Sequence, residues 1–112
     1  MIEAIIRREL EKLLNVKVYL EIPDTPPKSF IVFQSSGESK TNKLPSAMFQ
    51  FDSYAETNQK ATELDDELVE ALERIAETCD KIRGVEQTSG SMRNNTITKK
   101  YRHSTIFEIR YY

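Results

Sequence analysis

The longest regular pattern in the sequence is an apolar stripe of helical spacing in the second half of the chain. Its members recur every three or four positions: Ala61, Leu64, Leu68, Leu72, Ile75, Ala76 and Cys79. Residues with this spacing lie on one face of an α-helix, so the pattern predicts a long helix with one face to bury. Such a helix needs a second layer to pack on, which the rest of the chain must supply.

The sequence contains candidate signals for the start and the end of this helix. Ser53 and Thr57 are both acceptable N-caps, and we expect the helix to begin after Thr57, which immediately precedes the helical run. Gly84 is the expected stop. The outer face is acidic, with carboxylates at Glu63, Asp66, Glu67, Glu70, Glu73 and Glu77. Because few bases accompany them, we expect a negative surface stripe rather than a lattice of ion pairs.

The remaining patterns predict a second helix and several strands. Residues 2–14 have helical spacing, and the period then changes to two for residues 16–22, which Pro23 ends. Strands are also predicted at residues 30–34, 47–54, 85–88 and 104–112. Residues 35–46 have almost no apolar side chain and are expected to form a loop. Residues 89–95 are rich in turn residues, and residues 96–98 could begin a return strand.

This order of elements, α-β-β-β-α-β-β, favours the α+β class. It describes a mostly antiparallel sheet of four or five strands with two helices packed on one face. Pattern alone leaves open whether the last strand pairs parallel or antiparallel. The 112 residues match one ordinary domain, with no internal repeat, so we expect a single domain over residues 1–112.

Charge and cysteine content narrow the possible functions. Sixteen Lys and Arg against eighteen Asp and Glu give a net charge of -2, without the positive field used to bind duplex DNA. A lone cysteine, Cys79, and a lone histidine, His103, cannot build a zinc-type cluster, and no intrachain disulfide is possible. The N-terminal segment has neither signal-peptide nor membrane-span character. We therefore expect no metal, no cofactor and no membrane association.

The candidates for catalysis each have a structural interpretation that fits better. His103 is expected to be a partly exposed residue at the start of the last strand, without a partner motif. Cys79 lies on the buried side of the long helix by its spacing. Asp65, Asp66 and Glu67 are consecutive, so their side chains diverge and cannot converge on one metal. The isolated glycines exclude a phosphate-binding loop, and we expect no enzymatic activity.

The C-terminal third is locally basic, and its cations are interleaved with Tyr101: Arg93, Lys99, Lys100, Arg102 and His103. Contact with nucleic acid is one interpretation. We favour a contact between identical subunits, because one basic-to-acidic interface explains this segment and the acidic helix together. The predicted interface residues are Glu63, Asp66, Glu67 and Glu70 on the acidic side, Lys99, Lys100 and Arg102 on the basic side, and Lys40 and Lys43 in the polar loop.

Several short segments carry a family resemblance. They are the strand at residues 18–20 closing on Pro23, residues 27–33, residues 51–55 running into the long helix, and Tyr101-Arg102 before the final aromatic strand. Together with the N-terminal amphipathic helix, they resemble the small tail-terminator, or tail-to-head joining, proteins of long-tailed bacteriophages and prophages. The resemblance spans nearly the whole chain.

This resemblance implies a structural virion protein without an active site. Such a protein forms a ring, usually a hexamer, on the last ring of the tail tube, ends tube polymerisation and meets the head connector. Its partners are its own copies, the tail-tube protein and the head-tail connector protein, and DNA passes through the lumen without specific recognition. It is made in the bacterial cytoplasm and resides at the tail-head junction. The alternatives are a neck or head-completion protein, or an acidic module that inhibits a host protein.

Overall fold

A computed structural model of the chain describes residues 2–41, 44–95 and 101–112, with side chains described outside residues 36–44 and 89–95. Within these ranges the elements follow the predicted order: α1 (Ile2–Leu13), β1 (Lys17–Tyr19), β2 (Phe30–Thr41), β3 (Leu44–Ala55), α2 (Asn58–Thr78), β4 (Ile82–Asn95) and β5 (Tyr101–Tyr111). The α+β class and the order α-β-β-β-α-β-β are confirmed.

The strands form one mixed sheet in the order β1-β2-β3-β5-β4. The last strand, β5, lies between β3 and β4. It is antiparallel to both of them, an orientation that the sequence pattern did not predict. The short β1 is parallel to β2, with Lys17 opposite Phe30. Parallel neighbours need a connection that returns the chain to the same end of the sheet, and residues 20–29 provide it.

The main core lies between the two helices and one face of the sheet. Phenylalanines at alternate strand positions fill the sheet side, where the Phe33 and Phe51 rings stack with centroids 5.1 Å apart. The predicted helical stripes meet them: Ile6 and Leu10 of α1 and Leu68 of α2 are fully buried. Ala76 and Cys79, at the end of the α2 stripe, are partly buried against the same core.

A smaller cluster lies on the opposite face of the sheet. Phe30, Val32 and Tyr54 are buried there, and the Phe30 and Tyr54 rings stack at 4.7 Å. These positions alternate with the core residues of the same strands, so their side chains point away from the helices. The sheet therefore has one helix-covered face and one face without a described helix.

The predicted start of α2 is confirmed and its predicted stop is wrong. The backbone N–H of Lys60 donates to Thr57 Oγ1 at 3.1 Å, which makes Thr57 the N-cap. The helix ends at Thr78, and Cys79 is its C-cap in an extended conformation. Gly84 instead pairs with Arg110 inside the sheet, because β4 begins at Ile82. A Cβ at Gly84 would lie 3.1 Å from Arg110 Nη2, so a larger residue here would require the end of the arginine side chain to shift slightly.

The expected loop over residues 35–46 is also wrong. There β2 continues to Thr41 and β3 begins at Leu44, and these two residues are opposite each other in a hairpin. Backbone pairing needs no apolar side chains, so a polar segment outside the core still forms a ladder. Residues 89–95, expected as turns, belong to β4, where the pairing shifts register around Ser89. The possible return strand at residues 96–98 lies outside the described residues.

The first and last predicted strands have different limits from those observed. Of residues 16–22, only β1, Lys17–Tyr19, pairs with a neighbour. The final strand is longer than expected and begins at Tyr101. Because β5 begins earlier than predicted, Arg102 and His103 also belong to the sheet.

Candidate interaction surfaces

The acidic side chains of α2 lie together on its solvent face. Glu63, Asp66, Glu67 and Glu70 are all exposed, as are Glu73 and Glu77. Within the part of the chain that the structure describes, none of these carboxylates forms an ion pair, and Glu70 does not pair with Arg74 despite the favourable spacing. The predicted negative stripe is thus brought together on one helix face.

Asp65 belongs to a different face of the same helix. Its side chain is only 2% exposed and points inward, whereas Asp66 and Glu67 are exposed. This divergence agrees with the expectation from helical geometry. Among the described residues, no group of three His, Cys, Asp or Glu side chains is arranged to hold a metal ion.

A groove lies beside the acidic face, where the end of α1 meets α2. Its volume is about 320 Å³, and its walls include Leu13, Leu14, Glu67, Glu70, Ala71 and Arg74. Leu13 and Leu14 both end the helically spaced apolar run over residues 2–14, but Leu13 is 43% exposed, while Leu14 is 8% exposed. The two adjacent leucines at the end of the helical pattern are the sequence signal for this surface. Leu13 is the last residue of α1 and Leu14 follows it, and of the two it is Leu14 that belongs to the core.

Arg102 lies on the other face of the sheet. The next residue, His103, contacts α2 through Thr62, and successive strand residues point to opposite faces. Arg102 is therefore directed away from the helices, beside its register partner Tyr54. Lys99, Lys100 and Lys43 lie outside the described residues. Lys40 is opposite Pro45 in the β2–β3 hairpin, and its side chain is not among those described.

His103 is buried rather than partly exposed, contrary to the sequence expectation. It is 7% exposed because β5 begins at Tyr101 and runs between two strands. Thr62 Oγ1 donates its hydrogen to the Asn58 carbonyl at 2.9 Å. The 3.1 Å contact between Thr62 Oγ1 and His103 Nε2 therefore has the imidazole as donor. This histidine ties β5 to α2.

Neither described helix is long and apolar enough to cross a membrane. The candidate interaction surfaces among the described residues are the acidic face of α2, the groove beside it and the sheet face on the opposite side, which carries Arg102.

Comparisons with known proteins locate the fold. The sequence matches no family model and no curated protein. Among solved structures, it is similar to a chain in the "Virion of native gene transfer agent (GTA) particle", with a TM-score of 0.59 and 12% sequence identity. The match covers 96% of this chain and 84% of that chain. At this identity, the likeness shows that the two chains share a fold.

Proposed function

We propose that this chain is a structural protein of a phage-like particle that closes the tail tube as a ring and joins the tail to the head. The supporting observation is the fold that 96% of the chain shares with a chain of a gene transfer agent virion. The sequence resemblance to tail-terminator proteins supports the narrower role. This role requires interfaces rather than a catalytic centre.

The placement of the charged surfaces supports assembly into a ring. The acidic face of α2 and Arg102 lie on opposite sides of the sheet, so a contact between them joins two different patches of two copies. Such heterologous contacts generate closed rings when the rotation between copies closes. In the proposed hexamer, Glu63, Asp66, Glu67 and Glu70 of one copy attract Lys99, Lys100 and Arg102 of the next.

The β2–β3 hairpin is the proposed contact with the tail tube or a neighbouring copy. The pairs from Ser39–Ser46 out to Thr41–Leu44 lie at and past the end of the pairing with β5, because Ser46 is opposite Arg110 near the end of that strand. Lys40 belongs to these pairs, and Lys43 lies outside the described residues. Removing residues 40–43 should impair tail joining while leaving the fold intact. Normal assembly of particles with that deletion would contradict this role of the hairpin.

The proposed partners are further copies of the chain, the tail-tube protein and the head-tail connector protein. DNA passes through the lumen without specific recognition, and the protein resides at the tail-head junction of the particle. No metal, cofactor or membrane takes part in this role.

The experiment that tests the proposal is a mass determination by light scattering over a concentration series, with and without polymerising tail-tube protein. We expect rings in negative-stain images and tubes of limited length when the chain is present. A chain that stays monomeric in both conditions and leaves tube length unchanged would exclude the tail-closing role. A tight one-to-one complex with a host protein would favour the inhibitory module instead.

A further inference from the structure

A second groove lies on the side of α1 that faces β1, hereafter the α1–β1 groove. Its volume is about 490 Å³, and its apolar wall is Leu20, which directly follows β1 and is 38% exposed. The other walls all come from α1: Ala4, Arg7, Arg8, Glu11 and Lys12. Three cations and one carboxylate thus surround an exposed leucine.

The cations of this groove project further into solvent than the carboxylates beside them. Each lies within 4.0 Å of Glu9 or Glu11. The side chains of Arg7, Arg8 and Lys12 are 48%, 67% and 64% exposed, whereas those of Glu9 and Glu11 are only 18% and 28% exposed. Glu11 is also held by a hydrogen bond from the backbone of β1. The surface that a partner meets here is therefore positive.

We propose that the α1–β1 groove receives the outer side of α2 from a second copy of the chain. In this contact, Asp66 and Glu73 supply the negative charge. The other copy supplies Arg8 and Lys12, and its Leu20 packs on α2 between the two carboxylates. The inference rests on the proposed ring and deepens it by giving the acidic face of α2 a further basic partner, on α1.

Charge complementarity selects this occupant. The six carboxylates on the outer face of α2 form no ion pair among the described residues, and the α1–β1 groove exposes three cations. Complementary charges of this kind steer association and fix the register between partners. Arginine is also enriched at protein interfaces, where its planar guanidinium donates two parallel hydrogen bonds to a carboxylate.

Helical geometry identifies which carboxylates reach the second copy. Glu67 and Glu70 line the other groove, beside α1 of their own chain. Asp66 and Glu73 are seven residues apart, almost two full turns, so they project on the same side about 10 Å apart along the axis. This side is turned roughly 100° from Glu67, away from α1. It is exposed, and it is free to meet another copy.

The sheet order makes the contact head-to-tail. β1 is one edge strand of the sheet and β4 is the other. α1 packs beside β1, whereas α2 packs on β3, β5 and β4. One copy therefore presents the outer side of α2 towards one edge and the α1–β1 groove at the opposite edge. Contacts between two different patches generate a ring when the rotation between copies closes.

Exchanging charge between the two surfaces tests the contact. Arg8→Glu with Lys12→Glu makes the groove acidic, and Asp66→Lys with Glu73→Lys makes the outer side of α2 basic. Each pair should weaken self-association by about tenfold or more in sedimentation equilibrium at low salt, because attraction becomes repulsion. An equimolar mixture of the two variants should restore association, because every contact between alternating copies then joins opposite charges. A mixture that associates no better than either variant alone would overturn the proposal.

Two control pairs accompany this exchange. Glu67→Lys with Glu70→Lys makes the same charge change on the side of α2 that faces α1, and should weaken self-association much less. Circular dichroism checks folding, and Arg8→Gln with Lys12→Gln replaces a reversal that unfolds α1. The glutamine pair should still weaken self-association by at least about threefold. Equal losses for the two pairs on α2, or unchanged association of the glutamine pair, would contradict a contact at this groove.

The outcomes separate this inference from the proposed function. Rings that tolerate the reversals in α1 would retain the ring and place its interface elsewhere. Rescue by charge exchange in chains that leave tube length unchanged would support the groove contact and contradict the tail-closing role. Chains that stay monomeric with and without tail-tube protein would overturn both.

Discussion

The two helices pack on the same face of the sheet and differ in how their outer charges are balanced. In α1, Lys12 Nζ lies 2.9 Å from Glu9 Oε2, and Arg7 Nε lies 4.0 Å from Glu11 Oε1. Glu11 also accepts a hydrogen bond from the backbone N–H of Val18 at 3.0 Å. Glu9 and Glu11 of α1 thus form ion pairs within the chain. The carboxylates on the outer face of α2 form no ion pair among the described residues, although Glu63 accepts a hydrogen bond from Gln59.

The charges of α2 also do not complement its own helix dipole. Its first turn has no acidic residue and its last turn has no basic one, although acids near the N-terminus and bases near the C-terminus stabilise a helix. The stability of α2 must therefore come from its buried face and its cap. Under the proposed function, these outer charges face a neighbouring copy of the chain.

The largest effect is expected from truncating the buried faces. Leu68→Ala in α2 and Leu10→Ala in α1 remove fully buried side chains and should each lower the free energy of unfolding by about 3 kcal/mol. Urea unfolding measures both, with Leu13→Ala as the exposed control at well under half that cost. A much smaller loss for Leu68→Ala than for Leu10→Ala would show that packing does not sustain α2.

The link between α2 and β5 should give the next largest effect. Thr62→Val removes the hydroxyl that accepts from His103 Nε2 and leaves a buried donor without its partner, at a cost of about 1–2 kcal/mol. Thr62→Ser retains the hydroxyl and is the matched control. Thermal unfolding monitored by circular dichroism provides the comparison. If the two variants were equally stable, the hydrogen bond would contribute nothing.

The N-cap of α2 should contribute slightly less. Thr57→Ala removes the oxygen that accepts from the backbone N–H of Lys60 and should cost about 1 kcal/mol, while Thr57→Ser should be close to neutral. Hydrogen exchange of the first-turn amides would detect the loss where it arises. Unchanged exchange in the alanine variant would place the start of the helix elsewhere.

The smallest effect is expected from removing single charges on the outer faces of the two helices. Glu70 has Asp66 four positions before it and Glu73 three positions after it, so Glu70→Gln should raise the free energy of unfolding by about 0.3 kcal/mol in low salt. Glu9→Gln removes the partner of Lys12 and should lower it by a similar amount. Both differences should fade in 1 M salt, where screening is strong. Changes of the same sign would contradict the contrast between α1 and α2.

Local sequence patterns determined much of the molecule. Apolar spacing and capping chemistry, which act over a few neighbouring residues, account for most of the buried stripe of each helix, the Thr57 cap, the acidic face of α2 and the order of elements. The acidic half of the candidate interface was predicted for the same reason. Exposed carboxylates at helical spacing lie on one face wherever the helix packs.

The tertiary structure alone determined which strands pair and on which face of the sheet each side chain lies. Nothing near residues 35–46 indicates a hairpin, because its ladder joins backbone groups and is independent of side-chain polarity. The burial of His103, the direction of Arg102 and the groove at Leu13 depend on the insertion of β5 between β3 and β4 and on the packing of α1 beside α2. The sequence thus determined which residues lie on each face of a helix or strand. The register between distant strands determined which of these residues come into contact, because contacts between distant segments leave no periodic signal in the chain.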